Sequence, residues 1–343
     1  MKRTIFASFV AAGGMVLLTL NLLSPVPLPS GTGEETAKAP VQKETSPIEE
    51  TFPVESRQKT EEMQQSWDET HSVALLCGEE VKMIRLDDYL TGVVLAEMPP
   101  SFEPEALAAQ AVAARTLTCR RLGSPKHDRA AVCAQSSCCQ AYISEEAAQE
   151  KYGEDWSKWQ EKVRAAVEKT DGLTIRYQGE LIDAVYFSSA GGATEKAAAV
   201  WGGEVPYLQS VESPDAEERF TAEVRISKEE FRAAILQETP DARLDGGPAG
   251  WFGAAYRTEG GGVERIKIGG IDYSGVLLRK LFSLRSTNFT VAVEEDEILF
   301  VTYGNGHRVG MSQYGAQAMA LEGAGFQEIL THYYQGVDVQ ENA

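Results

Sequence analysis

The feature that most constrains this chain is its N-terminal run from Ile5 to Leu23, which carries no charged residue and follows Lys2 and Arg3. As a helix, this run would extend roughly 29 Å at about 1.5 Å per residue, which matches the hydrocarbon core of a bilayer. The two basic residues predict that the N-terminus stays in the cytoplasm and that the rest of the chain lies outside. We therefore predict a cytoplasmic tip and a transmembrane anchor over residues 1–23, with a cleaved signal peptide as the alternative.

The composition changes after this segment. Residues 24–71 are rich in Pro, Glu, Thr and Lys and contain few apolar side chains that a core could bury. Burial then offsets too little of the entropy cost of folding, so the pattern predicts a disordered stalk. We therefore predict that the folded domain comprises residues 72–343. Within it, the strand-and-loop region from about 215 to 288 is a possible subdomain or insertion.

The charge of the chain excludes one class of partner. Its 343 residues carry a formal net charge of −19, and no basic stripe offsets the acidic residues. Such a surface repels a phosphate backbone, so we expect no nucleic acid partner. Hydrophobic residues make up 43% of the chain, which is ordinary for a globular protein and predicts a packed core.

Apolar periodicity predicts helices and strands in irregular order. Short apolar runs on either side of Gly78 predict a hairpin, a helix follows from Asp87 to the prolines at Pro99, and a second helix begins at Pro104. Similar signals predict helical segments over 145–169, 312–321 and 326–334, and strands over 173–177 and 181–187. Because helices and strands do not alternate regularly, the expected fold class is a single α+β domain.

Glu97 is the first candidate for chemistry. It falls in the last turn of the first predicted helix, at the negative end of the helix dipole, where an ionised carboxylate is disfavoured. This position predicts a raised pKa, and a carboxyl that stays protonated near neutral pH can act as a general acid. On position alone, an ordinary glutamate at a helix end is the alternative.

Three sequence blocks resemble the stage II sporulation protein D family. The first is LDDYLTGVVLAEMP at 86–99 with FEPEAL at 102–107 and QAVAART at 110–116; the others are YFSSAGG at 186–192 and HRVGMSQYGA at 307–316. Separated blocks in the same order are a far stronger signal than any one block. The resemblance, from about residue 73 to 339, implies a catalytic domain with a substrate cleft. Its implied activity is that of a lytic transglycosylase, which cleaves peptide-stripped peptidoglycan between N-acetylmuramic acid and N-acetylglucosamine and leaves 1,6-anhydromuramyl ends.

The resemblance also implies roles for residues in these blocks. Glu97 would be the acid and then the base that helps the muramyl C6 hydroxyl attack the anomeric carbon, so one carboxylate suffices. Arg308 stands where relatives commonly have glycine. We expect substrate contacts from the polar residues Arg115, Tyr186, Ser188, Ser189, His307, Ser312 and Gln313. The alternatives are an ion pair for Arg115, a turn at the two serines and an inert loop histidine.

A second cluster combines one histidine with cysteines. His127, Cys133, Cys138 and Cys139 offer an imidazole and three thiolates, a good ligand set for tetrahedral zinc. The family resemblance supports a zinc site here, with Cys138 in place of a histidine. A disulfide from Cys133 to Cys138 or Cys139, or free thiols, are the alternatives. With four protein ligands the zinc would be structural, and catalysis would need no cofactor.

The resemblance finally implies a setting and partners. It suggests a complex with a sporulation amidase/endopeptidase and a membrane scaffold protein, acting on peptidoglycan glycan strands during engulfment. The catalytic domain would then lie outside the cytoplasm, between the mother-cell and forespore membranes. Two other hypotheses remain: a non-catalytic peptidoglycan-binding module that activates a cell-wall amidase, and a zinc hydrolase. The latter is disfavoured because the chain has no H-E-x-x-H motif.

Overall fold

The computed structural model describes residues 66–215 and 220–342. The predicted anchor and residues 24–65 of the predicted stalk lie outside these ranges. Within them, no helix combines the length and apolarity needed to cross a bilayer. The ordered domain extends further toward the N-terminus than residue 72, because α1 (Trp67–Thr70) is bound to the fold through Asp171, whose carboxylate accepts N–H bonds from Trp67 and Asp68.

The predicted hairpin is confirmed. Strands β1 (Ser72–Cys77) and β2 (Glu80–Arg85) pair antiparallel across a turn in which Gly78 has φ +63°. A third strand, β3 (Val132–Cys133), pairs parallel with β1. This small sheet brings the cysteine-containing segment next to the start of the domain.

The two helices predicted after the hairpin are confirmed, and they form the centre of the first hydrophobic core. They are α2 (Leu86–Glu97) and α3 (Pro104–Gly123), and every residue of α3 from Ala106 to Thr118 is buried. Many of these residues are alanines, whose small side chains allow the neighbouring helices and strands to approach closely. A strongly amphipathic pattern is therefore absent from α3, because the helix is enclosed on all sides.

The remaining elements of the first core surround these helices. The predicted helical stretch 145–169 is two helices, α4 (Glu145–Tyr152) and α5 (Trp156–Lys169), separated at Gly153 (φ +55°) and a short 3-10 helix. Of the strand predicted over 181–187, only the ends are strand. Three small elements follow on: β4 (Leu173–Tyr177), β5 (Glu180–Leu181) and β6 (Tyr186–Phe187). Next comes α6 (Ala197–Trp201).

A second hydrophobic core is formed by residues between 222 and 302. Its elements are β7 (Ala222–Ser227), α7 (Lys228–Glu238), β8 (Phe252–Arg257), β9 (Val263–Ile268), β10 (Ile271–Ser274), α8 (Gly275–Leu281), β11 (Phe289–Glu294) and β12 (Glu297–Thr302). They form two antiparallel three-stranded sheets, ordered β10-β9-β8 and β11-β12-β7. Stacked aromatic rings occupy the interior, with Phe231 and Phe282 centred 5.1 Å apart.

The chain then returns to the first core. Strand β13 (Met311–Ser312) pairs parallel with β6, and α9 (Gln313–Leu321) and α10 (Phe326–Tyr333) follow as predicted. The last strand, β14 (Asp338–Glu341), pairs antiparallel with β4. Helices and strands are thus mixed without regular alternation, which confirms the α+β prediction.

A buried ion pair joins the two cores. Arg308, fully buried, has φ +65°, the left-handed backbone that glycine adopts most easily. Its Nη1 donates to Glu195 at 3.0 Å, and the same carboxylate oxygen accepts bonds from the Thr258 hydroxyl and the Gly262 N–H. Arg308 therefore fixes the segment next to His307 to the turn between β8 and β9.

Candidate active site and metal centre

A cavity of about 400 Å³ opens at the C-terminal end of α2. It is shared by elements from distant parts of the chain: the end of α2, the segment before Cys139, β6, α8 and the loop after β12. The lining side chains that matter for chemistry are Glu97, Ser136, Ser137, Cys139, Tyr186, Ser188, Arg279, Asn305 and His307. Of the predicted site residues, the structure thus brings Glu97, Tyr186, Ser188 and His307 together.

Glu97 is the last residue of α2, because Met98 turns to an extended backbone and the prolines that follow cannot continue the helix. One carboxylate oxygen accepts a bond of 2.6 Å from the backbone N–H of Ala141. Burial raises the pKa of Glu97 above its usual value, while the Ala141 N–H and the side chain of Gln313 partly offset that rise. The predicted direction of the shift is therefore found, but burial rather than the helix dipole is its main cause.

Gly92 allows the segment carrying Ala141 to lie against α2. A Cβ atom at Gly92 would meet the Tyr142 ring at 2.4 Å and the carbonyl oxygen of Ile143 at 2.6 Å. The backbone carbonyl of Gly92 also accepts the N–H of Ile143 at 3.3 Å. This close approach places the Ala141 N–H at the Glu97 carboxyl one helix turn further on.

Tyr186 is held in place by a buried amide. Its hydroxyl donates to the Gln140 side-chain oxygen at 2.9 Å, and the Gln140 amide nitrogen donates to Tyr89 and Thr118. Gln140 is 1% exposed, so its donors and acceptor are used within the fold. The hydroxyl of Tyr186 is thereby fixed at the cavity wall.

His307 lies between two aromatic rings, 5.5 Å from Phe187 and 5.3 Å from the half-exposed Trp201, measured between centroids. Its Nδ1 accepts the backbone N–H of Val309 at 3.2 Å, so the neutral ring carries its proton on Nε2. Burial, assisted by the positive charge of Arg279, lowers the pKa of His307 to about 4. At neutral pH it is an uncharged hydrogen-bond donor.

Three predicted substrate residues lie beside the cavity rather than in its wall. Ser312, fully buried, caps α9 by accepting the Gly315 N–H and donates to Asp215 at 2.7 Å. Ser189 is also fully buried, and its backbone pairs with Asn305. Gln313 is 5% exposed and reaches Glu97 from α9. Through these buried contacts, the three residues hold in place the segments that line the cavity.

Arg115 has a structural role. Its guanidinium is fully buried and donates to Asp68 at 2.5–3.0 Å and to the carbonyl oxygens of Val167 and Leu173 at 3.2 Å. Arg115 does not line the cavity. The structure therefore supports the alternative, an ion pair, rather than the expected contact with substrate. The partner is Asp68 in α1, too distant in sequence for helical spacing to reveal.

The cavity also contains residues that the sequence did not single out. Asn305 lies between Gly304 and Gly306, in a glycine-rich loop that a sequence pattern can mark as a close-approach site. Arg279 comes from the second core, and no local motif surrounds it. Trp201 ends α6 and lines a neighbouring cavity of about 320 Å³ that shares Leu117, Cys139 and Val185 with the first.

The structure brings the predicted zinc ligands together. The donor atoms of His127, Cys133, Cys138 and Cys139 all lie within 4.8 Å of one another. His127 Nε2 is 3.8 Å from the sulfur of Cys138 and 3.6 Å from that of Cys139. Tetrahedral zinc with bonds of about 2.0–2.1 Å to nitrogen and 2.3 Å to sulfur separates these two atoms by about 3.6 Å. The donor set therefore suits zinc chemically, and the shorter nitrogen–sulfur distance equals that of a tetrahedral site. All five cysteines are free thiols in the described structure.

These features define a class of protein: an α+β domain with a half-buried glutamate in the wall of a cavity beside a histidine–cysteine cluster. A family model described as "SpoIID: Stage II sporulation protein" matches residues 78–177. Stage II sporulation protein D of Bacillus amyloliquefaciens is 35% identical over 269 residues, covering 77% of this chain and 76% of that relative. The same protein of Bacillus subtilis (strain 168) is 35% identical over 268 residues, covering 77% of each. The chain belongs to the stage II sporulation protein D family.

A more distant relative has a different name. The Amidase enhancer of Bacillus subtilis (strain 168) is 29% identical over 300 residues, which cover 72% of this chain and 39% of that protein.

Proposed function

We propose that this chain is a lytic transglycosylase that cleaves peptide-stripped glycan strands between N-acetylmuramic acid and N-acetylglucosamine. The observation that carries the proposal is Glu97, a carboxyl in a cavity wall whose pKa is raised by burial. A carboxyl that keeps its proton near neutral pH can protonate the oxygen of a departing sugar.

The number of acids in the cavity favours this reaction over hydrolysis. Among the described lining residues, Glu97 is the one carboxylic acid. Glycosidases that use water or an enzyme nucleophile usually need two carboxyl groups, about 5–5.5 Å or 6.5–9.5 Å apart. A substrate that attacks itself through its own hydroxyl needs only one, because the nucleophile is already held in place.

The proposed steps balance without water. Glu97 donates its proton to the linking oxygen as the bond from the muramyl C1 to that oxygen breaks, which releases the 4-hydroxyl of N-acetylglucosamine. The resulting carboxylate then takes the proton of the muramyl C6 hydroxyl while O6 bonds to C1. The products are a 1,6-anhydromuramyl end and Glu97 in its original protonated state.

The other cavity residues suit a neutral sugar. The hydroxyls of Tyr186 and Ser188 and the Asn305 amide offer hydrogen-bond partners for hydroxyl and acetamido groups, and the uncharged His307 ring lies in the same wall. Trp201, 50% exposed, offers a ring face in the neighbouring cavity. The two cavities share wall residues and therefore lie side by side.

We propose a structural zinc at His127, Cys133, Cys138 and Cys139. Zinc would supply a rigid crosslink to a segment with little secondary structure. Cys139 lines the cavity, and Ala141, two residues later, bonds Glu97. These ligands would therefore hold the backbone that positions the catalytic carboxyl.

The proposed setting follows from the family. The two Bacillus relatives are named as sporulation proteins, and the N-terminal run suits an anchor that places the domain outside the cytoplasm, between two membranes during engulfment. We propose an amidase/endopeptidase and a membrane scaffold protein as partners, since removal of stem peptides must precede cleavage of stripped strands.

A second candidate function is a non-catalytic module that binds peptidoglycan and activates an amidase. The observation that favours it is the relative named Amidase enhancer. Binding of glycan strands with stimulation of an amidase, but with no cleaved glycan in any condition, would support this function over the first.

The test is mass spectrometry of peptide-free glycan strands incubated with the full-length chain. Anhydromuramyl ends are expected, each lighter by one water than a hydrolysis product. Glu97→Gln should reduce their formation by about 10²–10⁴-fold, because the proton donor is lost. Glu79→Gln, an exposed glutamate of the hairpin turn, is the matched control and should leave the rate unchanged. Equal product formation by Glu97→Gln would contradict the proposal.

A further inference from the structure

Arg279 is a cation in the Glu97 cavity with no acidic partner among the described residues. It lies in the last turn of α8, and its partly buried side chain forms part of the cavity wall. Its Nε donates to the carbonyl oxygen of Arg285 at 3.3 Å. Within residues 66–215 and 220–342, no carboxylate lies at ion-pair distance, and neither Nη atom has a hydrogen-bond acceptor.

The two fully buried arginines of the described residues behave differently from the partly buried Arg279. Arg115 and Arg308 each face a carboxylate, Asp68 and Glu195 respectively, and both pairs are almost fully buried. A guanidinium stays charged in proteins, and a charge removed from water without a partner is unfavourable. Burial lowers the pKa of Arg279 below its usual value, in agreement with that loss of solvent. The free N–H groups of Arg279 are thus available to an anion that enters the cavity.

A shared hydrogen-bond acceptor places the Arg279 guanidinium beside the loop that carries Asn305 and His307. The carbonyl oxygen of Arg285 accepts both the Nε–H of Arg279 and the N–H of Gly306, at 3.0 Å for the latter. Gly306 lies between Asn305 and His307 in the cavity wall. The guanidinium and this loop therefore share one anchor point.

We propose that Arg279 binds the free lactyl carboxylate of a peptide-stripped muramyl residue and so selects strands whose stem peptide has been removed. This inference rests on the proposed function of the same cavity. Hydroxyl and acetamido groups of the glycan are neutral, and the lactyl group is a neutral amide while the peptide is attached. Peptide removal creates a carboxylate, which a guanidinium binds through two parallel N–H donors.

The experiment measures binding apart from cleavage. The ligands are a peptide-free muramyl tetrasaccharide with free lactyl carboxylates and the same sugar with these carboxylates converted to methyl amides. Calorimetry with the full-length Glu97→Gln chain gives a Kd for each, because the ligand stays intact. The comparison is repeated with Arg279→Gln, Arg279→Lys and Lys280→Gln added. Lys280 is the exposed neighbour on the same helix, so its variant removes the same charge outside the cavity.

The carboxylate ligand should bind about tenfold or more tightly than the amide when Arg279 is present, and also in Lys280→Gln. Arg279→Gln should bring the ratio close to one, with Arg279→Lys in between. A ratio that Arg279→Gln leaves unchanged, or an equal loss of affinity for both ligands, would overturn the inference.

The two proposals fail in different ways. Cleavage of peptide-free strands by the unmutated chain, with no effect of Arg279→Gln on the affinity ratio, would contradict carboxylate binding by Arg279 and support the transglycosylase proposal. An affinity ratio that depends on Arg279, without cleavage by the unmutated chain, would support carboxylate binding by Arg279 and contradict the transglycosylase proposal.

Discussion

The two hydrophobic cores contribute to the cavity in different ways. The first core, which includes the family-matched residues 78–177, supplies Glu97, the Ala141 N–H that binds it and the histidine–cysteine cluster nearby. The second core supplies Arg279 from the end of α8. The candidate acid and the backbone N–H that binds it therefore come from one contiguous stretch, whereas Gln313 and the cavity cation Arg279 come from distant parts of the chain.

The coupling between the cores can be broken at Glu195. Glu195→Ala leaves the buried Arg308 without its carboxylate and removes the acceptor for Thr258 and Gly262. Because an uncompensated buried charge remains, we expect a loss of about 3–5 kcal/mol in the free energy of unfolding. Chemical denaturation followed by tryptophan fluorescence measures it; a loss below about 1 kcal/mol would show that the pair does not join the cores energetically.

The support of Glu97 within the first core can be tested by removing zinc. The purified chain should contain one zinc per molecule by elemental analysis, and Cys133→Ser should bind less. If the cluster positions Ala141, zinc removal should slow formation of anhydromuramyl ends by about 100-fold, or about 2.7 kcal/mol in the activation barrier. Absence of zinc from the chain, or unchanged activity after its removal at intact fold, would contradict the proposed metal centre.

The smallest effect is expected at a surface pair that joins the same two segments. Lys196 and Glu259 contact at 2.6 Å but are 40% and 64% exposed. Water already solvates both charges, so Lys196→Ala should change the free energy of unfolding by less than about 1 kcal/mol. It is the matched control for Glu195→Ala, and equal losses in the two variants would remove the distinction between buried and exposed coupling.

The parts of the fold that depend on local sequence could be predicted. The end of α2 at Glu97 follows from Pro99, and the start of α3 from Pro104, because proline restricts backbone geometry wherever it occurs. The ligand cluster was also predictable, since His127 and Cys139 lie close together in the chain. These signals act over a few residues.

The parts that depend on distant contacts could not be predicted. Arg115 is assigned by its contact with Asp68, 47 residues away, and Arg279 reaches the cavity only through the packing of the second core. The contacts of Glu97 with Gln313 of α9 and Tyr186 of β6 likewise join distant parts of the chain, whereas the sequence reveals only the helix end. Tertiary packing decides each of these roles.

Titration of Glu97 shows directly whether its carboxyl holds a proton more strongly in the folded chain than an ordinary glutamate does. The full-length chain is labelled with carbon-13 at the glutamate carboxyl groups and followed by NMR. The Glu97 resonance is the one that is missing from the spectrum of Glu97→Gln. A pKa that is higher in the folded than in the unfolded chain means that folding favours the protonated carboxyl. The contribution of Glu97 to stability is therefore lost as the pH rises through the folded-state pKa. We predict a titration midpoint above the ordinary glutamate value of about 4.3, with product formation falling as pH rises through the same midpoint. A midpoint at or below that value in the folded chain would contradict the account.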